Sequence, residues 1–152
     1  MLSNRTTLRV EFGDCDPSGI VFNPNFFRWF DASVHALLRA GGTSLRALQD
    51  EYGIVGIPLV ESHIQFFHPV YAYDLIEIQT RVSAVHRCVF DLEHLVSKKE
   101  ALTAVKASET RAWTVLDTAE DRVRATPLPS RVRQILMDGP GGEPLFPQLS
   151  FQ

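Results

Sequence analysis

The sequence is short of cysteine, of long apolar segments and of positive charge. Its two cysteines, Cys15 and Cys88, supply neither a disulfide framework nor the spacing of a zinc site, which predicts a reducing, cytoplasmic setting and no bound metal. No apolar run approaches the roughly 18 residues of a membrane span, and residues 1–12 lack the apolar centre of a secretory signal. The formal net charge of −3 gives no basic field for nucleic acid. We therefore expect no membrane and no nucleic-acid partner.

The chain does have enough apolar sequence for one globular domain. Of its 152 residues, 45% are hydrophobic and 22% charged, which is the balance of an ordinary soluble protein with its own core. We predict a single domain at 1–138. Residues 139–152 form a tail rich in proline and glycine, whose apolar side chains are candidates for docking on a partner surface: Leu145, Phe146, Leu149 and Phe151.

The first part of the domain predicts a strand and a long helix. Residues 5–13 alternate apolar and polar side chains, as in a half-buried strand, and a loop follows at 14–22. The helix is predicted to begin at the N-cap Asn23 and at Pro24, because proline suits a first helical turn, and to end at Gly41. Its predicted apolar face consists of Phe26, Phe27, Phe30, Val34, Leu37 and Leu38.

The second part of the domain predicts mainly β-structure. After a short helix at 43–52, the sequence becomes rich in β-branched and aromatic residues with short polar separators. Sequential strands joined by such short turns must be antiparallel. A turn at 117–121 and a helix at 129–137 complete a domain of the α+β class. The predicted strands cover residues 55–67, 75–85, 89–96 and 104–116.

A sheet wrapped around the long apolar helix would bury that helix but leave one edge strand without a partner. Natural proteins cover or pair such edges, because an unpaired edge invites aggregation. Pairing with a second copy of the chain would extend the sheet and remove the edge. We therefore predict a homodimer.

The predicted loop before the long helix carries two acids. Pro17 and Gly19 turn the chain so that Asp16 faces the helix N-terminus, where backbone N–H groups lack partners and the dipole is positive. A carboxylate together with such N–H groups can hydrolyse an activated acyl group. The alternative for Asp16 is an Asx turn that only shapes the loop. Asp14 suits a bracing role, since adjacent carboxylates oppose each other's ionisation, and Cys15 suits packing.

The sequence around this loop resembles a known family. The runs EFGDCDPSGIV at 11–21 and PNFFRWFDA at 24–32 look like hotdog-fold acyl-CoA thioesterases, in the hydroxybenzoyl-CoA thioesterase branch that carries its catalytic aspartate in this loop. GIVGIP at 53–58, AYDLIEI at 72–78 and RVRATPLP at 122–129 resemble the family too. The resemblance implies a hotdog fold, in which a curved antiparallel sheet wraps around a long central helix. It also implies dimers that pair into tetramers, an active site at the subunit interface, and hydrolysis of an acyl-CoA with no cofactor beyond the substrate's own coenzyme A.

The resemblance also assigns roles to individual residues. The family's catalytic aspartate matches Asp16, and its oxyanion-binding backbone N–H falls near Asn23. The closest branch has an aromatic pair where this chain has Phe22 and Asn23, so the acyl pocket differs while the backbone donor is kept. Two arginines match positions that hold the nucleotide of coenzyme A, Arg87 and Arg124.

The predicted acyl pocket lies around the helix start. Phe22 and Phe26 at the helix mouth are expected to face Ile57, Pro58 and Val60 on a strand. His63 is a further candidate for lining this pocket. We expect structural roles for the remaining histidines: His35 paired with Asp31 on the helix surface, His68 beside a strand, His86 in a turn and His94 on a strand surface.

The function expected from these patterns is a cytoplasmic acyl-CoA thioesterase for an aromatic acyl group such as hydroxybenzoyl or benzoyl. Asp16 would act either as the nucleophile or as the general base for water. The alternatives are a non-catalytic acyl-CoA-binding module and a thioesterase for aliphatic acyl-CoA or acyl carrier protein. A hydratase of the same architecture is a third, and it would need a histidine–acid pair.

Overall fold

The computed structural model describes residues 1–140, so the apolar tail positions from Leu145 onward lie outside the described residues. The predicted domain boundary at 138 therefore stays a prediction. No helix within residues 1–140 is long and apolar enough to cross a membrane. In chain order the helices and strands are β1 (Ser3–Arg9), α1 (Pro24–Ala40), α2 (Leu45–Tyr52), β2 (Leu59–Phe66), β3 (Leu75–Val85), β4 (Val89–Ser97), β5 (Thr103–Ala112), β6 (Thr114–Asp117), β7 (Arg122–Ala125) and α3 (Ser130–Asp138).

The main sheet has the strand order β1-β3-β4-β5-β2, and every neighbouring pair is antiparallel. β3, β4 and β5 follow one another through short connections, as the sequence predicts. β2 does not pair with its successor β3 but lies at the far edge beside β5. β1 and β2 are therefore the two edges of the sheet, and α1 packs across one of its faces.

The central helix α1 begins at Pro24 and is followed by Gly41, as predicted. Its buried apolar side chains recur every three or four residues, which is the spacing of one helix face. Phe27 was predicted on this face but is 45% exposed, because it is rotated by about 100° from its neighbour Phe26. The buried apolar residues of α1 are Phe26, Phe30, Val34, Leu37 and Leu38.

The core consists of two clusters that lie at opposite ends of α1. Phe26 and Phe30, from the start of the helix, pack with Val70, Ile76 and other residues. The end of the helix belongs to the second cluster, whose members include Leu37, Leu38, Ile57, Trp113 and Leu136. The two ends of the molecule are thus distinguished by their core residues.

Both predicted limits of the first strand are wrong, and β1 begins at Ser3 instead of residue 5. β1 stops at Arg9 instead of continuing to residue 13, because residues 12–14 form a 3-10 turn. The Glu11 N–H donates to Asp14 Oδ2 at 2.9 Å and closes this turn. Phe12 is consequently 72% exposed and does not continue the buried side of the strand.

The predicted strands at 55–67 and 104–116 also need correction. The first begins only at Leu59. The second is interrupted at Trp113, whose N–H donates to the carbonyl of Cys88 at 2.9 Å. Beyond this point β6 leaves the main sheet and pairs with β7.

Candidate functional site

The acid-bearing loop is a tight hairpin fixed at the start of α1. Cys15 and Val21 form an antiparallel bridge, and the Asp16 N–H donates to Ile20 O at 2.9 Å. Gly19 has φ +80°, a left-handed conformation that glycine adopts without the cost a side chain would add. The loop therefore holds Asp16 in one place, and Gly19 supplies the turn as predicted.

The carboxylate of Asp16 is exposed and is held by neighbouring donors. Its Oδ1 accepts a hydrogen bond from the Ser18 N–H at 2.8 Å and another from the Ser18 hydroxyl. The two Ser18 donors, and to a smaller extent the Ile20 N–H, lower the pKa of Asp16 below its ordinary value, because they stabilise the charged form. The Asx turn is thus present, and it leaves an ionised, exposed carboxylate that a water or a substrate can reach.

Asp14 is placed to brace the loop against the helix. Its side-chain carboxylate accepts from the Glu11 N–H, and its backbone carbonyl accepts from the Phe22 N–H at 2.9 Å and from the Asn25 side-chain amide at 2.7 Å. Cys15, between the two acids, has its pKa raised by burial and by the nearby carboxylates. Its thiol therefore stays protonated, which agrees with a packing role.

The head of α1 presents a free backbone donor at Asn23. This residue precedes the first helical residue, but its side chain makes no capping hydrogen bond, so only the position predicted for the N-cap is right. Its N–H has no acceptor within residues 1–140, and Pro24 has no N–H to offer. The Asn23 N–H is thus a preorganised donor at the positive end of a 17-residue helix.

An apolar groove of about 330 Å³ opens beside this donor. Phe26 forms one wall and packs edge-on against Phe66, with ring centroids 5.6 Å apart. Phe22 lies next to the helix head and is 54% exposed. The lining residues are Asn23, Phe26, Phe66, Phe67, His68, Pro69 and Val70.

The other predicted walls do not reach this groove within one chain. Ile57 and Pro58 line a separate cavity of about 660 Å³ beside the middle of α1. Val60 is the second residue of β2 and Phe66 the last, so about 20 Å of strand separates them. The prediction that Ile57, Pro58 and Val60 face Phe22 and Phe26 is therefore wrong for a single chain.

His63 was predicted to line the acyl pocket, and within one chain it does not lie on the face of β2 that looks toward α1. Its register partner on β5 is Ser108, while the neighbouring pair Ser62 and Glu109 points toward α1. His63 therefore lies on the opposite face of the sheet, where it lines a polar groove with residues such as Glu61 and Glu93.

Arg87 and Arg124 lie far from Asp16 of their own chain. Arg87 is exposed in the turn after β3, whereas the acid loop lies at the start of this 11-residue strand, about 35 Å away. The acid loop is fixed there through Val10, whose N–H donates to Asp74 O at 2.8 Å. Arg124 lies on β7 and pairs with Asp117 at 3.3 Å. An acyl-CoA whose thioester lies at Asp16 therefore cannot place its nucleotide on either arginine of the same chain unless the substrate spans the molecule.

The sequence reasoning missed a buried charged network between the sheet and α1. His94, predicted on a strand surface, is 1% exposed and stacks on Phe30 at 4.4 Å. Its Nε2 lies 3.3 Å from Glu109 Oε2, which also accepts from Arg111 Nε at 3.1 Å. Arg111 Nη1 reaches Asp31 on α1 at 2.9 Å. The signal was present, since these residues occupy the inward positions of β4 and β5.

The charges of this network are mutually supporting. Burial alone would raise the pKa of Glu109, but the hydrogen bonds and positive charges of His94 and Arg111 outweigh it, so the pKa lies below its ordinary value. Asp31 also contacts His35 at 3.6 Å, which confirms the predicted surface pair. Arg111 and Asp31 both line the cavity of about 660 Å³ and give it a polar end. Within residues 1–140, no group of side chains is arranged to hold a metal ion.

Comparisons with known proteins agree with this architecture. The thioesterase-like superfamily model matches residues 10–136. The 4-hydroxybenzoyl-CoA thioesterase of Pseudomonas sp. (strain CBS-3) is 35% identical over 127 residues, which cover 80% of this chain and 89% of that protein. A 1,4-dihydroxy-2-naphthoyl-CoA hydrolase of Synechococcus elongatus is 27% identical over 128 residues, covering 84% and 90%.

Solved structures show the same fold. The 4-hydroxybenzoyl-CoA thioesterase structure from Pseudomonas sp. strain CBS-3 superposes with a TM-score of 0.83 at 31% identity, covering 89% of this chain and 99% of that one. A gentisyl-coenzyme A thioesterase gives 0.75 at 32% identity, covering 86% and 99%. The predicted hotdog fold is confirmed. The chain belongs to the thioesterase-like superfamily, and it is a thioester hydrolase.

Proposed function

We propose that this protein hydrolyses the coenzyme A thioester of an aromatic acid, with Asp16 as its catalytic carboxylate. The observation that carries the proposal is the pairing of an ionised, exposed carboxylate with the free Asn23 N–H in one rigid loop–helix unit. The aromatic groove beside Asn23 suits a flat ring. The relatives named for 4-hydroxybenzoyl-CoA, 1,4-dihydroxy-2-naphthoyl-CoA and gentisyl-coenzyme A support the aromatic class.

In the proposed reaction, the thioester carbonyl oxygen accepts a hydrogen bond from the Asn23 N–H. Charge develops on this oxygen as the tetrahedral intermediate forms, and the helix dipole stabilises it there. Asp16 either takes a proton from the attacking water or attacks the carbonyl carbon itself. Ser18 keeps Asp16 ionised for either role, while Asp14, Pro17 and Gly19 hold the loop.

A second copy of the chain would complete the site. β2 is an edge strand with exposed apolar residues along it, among them Leu59, Val60 and Phe66, and the exposed Phe67 follows directly after it. If β2 pairs with its copy about a two-fold axis, the start of one β2 lies beside the end of the other. Ile57, Pro58 and Val60 of one chain would then face Phe22 and Phe26 of its partner, which separate chains cannot achieve.

A second subunit would also explain how the nucleotide end of the substrate is bound. Because Arg87 and Arg124 lie too far from their own Asp16, we propose that they hold the coenzyme A phosphates at the site of another subunit. A dimer, and a tetramer formed from two dimers, would bring such surfaces together. The oligomeric state and the cytoplasmic setting are parts of this proposal.

The Asp16→Asn variant tests the proposed function directly. We expect its kcat for 4-hydroxybenzoyl-CoA to fall by about 10²–10⁴-fold with binding of the substrate retained, because only the acid–base or nucleophilic group is lost. Release of free thiol measures turnover, and benzoyl, phenylacetyl and long aliphatic thioesters on coenzyme A or on acyl carrier protein define the acyl group and its carrier. Asp50→Asn on the surface of α2, where Asp50 pairs with Arg46, is the matched control.

Three results would count against this assignment. Near-normal turnover by Asp16→Asn removes Asp16 from the chemistry. Tight binding of acyl-CoA by the wild type without thiol release would instead indicate a binding module. Cleavage of long aliphatic esters alone would leave the thioesterase and exclude the aromatic preference.

A further inference from the structure

His68 and the proposed oxyanion donor line the same groove of about 330 Å³. The segment that follows β2 runs antiparallel to the acid loop: Ile20 bridges Tyr71, and the Val21 N–H donates to Val70 O at 2.8 Å. In an antiparallel pair each step forward on one chain is a step back on the other. The chain therefore runs from Val21 toward Asn23 on one side and from Val70 back toward His68 on the other, so both approach the groove from this pair.

The backbone of His68 is fixed while its ring is available. Its N–H donates to Ala104 O at 3.2 Å, beside the Phe67 N–H that donates to the same oxygen at 2.8 Å. Within residues 1–140, the imidazole itself has no hydrogen-bond or ion-pair partner, and the residue is exposed. His94 and His86, by contrast, are committed to Glu109 and Asp91. His68 is thus an unengaged titratable side chain at the mouth of the groove.

The proposed reaction needs a proton donor for its leaving group, and the residues described so far do not supply one. When the tetrahedral intermediate collapses, the carbon–sulfur bond breaks and the sulfur departs with the electron pair as a thiolate. A thiolate of this basicity leaves more readily if a proton is transferred to it in the transition state. Asp16 is ionised and the Asn23 N–H only stabilises the oxyanion, so neither can donate that proton at the start of the reaction.

We propose that the His68 imidazolium donates a proton to the departing thiolate. This step rests on the thioesterase function proposed above. Asp16 takes one proton from the attacking water, the hydroxyl oxygen bonds to the acyl carbon, and the sulfur leaves with a proton from His68. Asp16 then releases its proton to solvent, the neutral imidazole regains one from solvent, and the carboxylic acid product loses one. The balance is one thioester and one water consumed, and one carboxylate, one proton and one thiol released. The same donor serves the route in which Asp16 attacks the carbonyl directly.

The charged side chains near His68 do not prevent its imidazole from acting as the proton donor. It is the single titratable side chain among the described residues that line the groove. Lys106 Nζ lies over the Phe67 ring at 5.4 Å, and Lys98 is bound to Pro69 O and to Asp74, each at 2.9 Å. The carboxylates of Asp14 and Asp16 lie on the loop across the groove. These charged groups are of both signs.

The test compares His68→Gln with the wild type on two esters of 4-hydroxybenzoic acid. One is the coenzyme A thioester, and the other is the S-phenyl thioester, whose thiolate is a weak base and needs no protonation. We expect kcat on the coenzyme A thioester to fall by about 10²-fold or more, and kcat on the S-phenyl ester to stay close to the wild-type value. His86→Gln, in the turn after β3, is the matched control and should match the wild type on both esters.

Other outcomes would overturn the proposal. An equal loss on both esters would make His68 a structural or binding residue, and so would a raised KM with unchanged kcat. Full activity of His68→Gln on the coenzyme A thioester would remove His68 from the chemistry while leaving Asp16 untouched. A wild-type protein that cleaves neither ester would contradict the proposed function itself.

Discussion

The carboxylate of Asp16 combines a structural role with its proposed chemical one. Its Oδ1 is held by the Ser18 N–H and hydroxyl, which fixes the side chain and lowers its pKa. The residue is nevertheless exposed. A carboxylate that is both anchored and ionised can act as a base without first having to be oriented. The Asx turn and the catalytic reading of Asp16 are therefore compatible.

Replacing Ser18 with alanine should move the acid limb of the pH–rate profile. The variant loses the hydroxyl that donates to Asp16, so the lowered pKa of this carboxyl should rise toward its ordinary value. A base works only above its pKa, so the half-maximal rate on the acid side should shift to higher pH. At pH 8 both proteins should have equal kcat, which serves as the internal control. A uniform loss at every pH would show that Ser18 holds geometry and not charge.

At the scale of elements, the parts predicted well are those whose signals are local. Pro24 and Gly41 mark α1, and Ser44, whose side chain accepts from the Ala47 N–H at 3.1 Å, starts α2 where expected. The break at Trp113 could not be seen in the sequence, because apolar β-forming residues continue on both sides and a tertiary hydrogen bond redirects the chain.

The candidate site, too, was predicted correctly only where its residues are close together in the sequence. Asp16 and Asn23 are brought together by one contiguous segment, so their proximity follows from the turn and the helix start. The wall residues Ile57 and Val60 depend on which strand lies at the edge and on what pairs with it, which alternation alone does not specify. His94 was misplaced although its inward position on β4 could have been read from the pattern.

The link between α1 and β5 through Arg111 should contribute to stability. We expect Arg111→Met to lower the free energy of unfolding by about 3–5 kcal/mol at pH 7, because Glu109 keeps its buried charge without the guanidinium that pairs with it. Urea unfolding at fixed protein concentration measures this. Arg131→Met, which breaks the exposed pair with Glu51, should cost less than about 1 kcal/mol. Equal effects of the two substitutions would contradict a special role for the buried network.

The same comparison has a defined pH dependence. The pKa of Glu109 in the folded protein is lowered, so its stabilising contribution is present above the ordinary value of 4.5 and is lost as pH falls through the lowered pKa. Arg111→Met removes one cause of this lowering. The stability difference between wild type and variant should therefore shrink on acidification, and a difference that grows would show that Glu109 is not the group involved.

At the scale of the whole molecule, the described residues contain the parts of a thioesterase site but not at one place. The catalytic loop, the free N–H and the groove lie at the start of α1, while Ile57, Pro58 and Arg87 lie toward its end. A two-fold axis at the edge of β2 exchanges these ends between subunits. The division of the site along the chain is thus itself an argument for a dimer.

Mixed dimers test this division. One parent is Asp16→Asn, and the other is Val60→Trp, which places a bulky ring in the proposed acyl pocket. The homodimer of each parent should be inactive. A mixed dimer joins the intact Asp16 of one chain to the intact wall of the other, so random 1:1 mixing should restore activity at about a quarter of all sites. Native mass measurements confirm that mixed dimers form, and Pro58→Trp replaces Val60→Trp if the latter fails to dimerise. If mixed dimers form and no activity returns, the site is built from one chain, and the proposed exchange of walls across β2 is wrong.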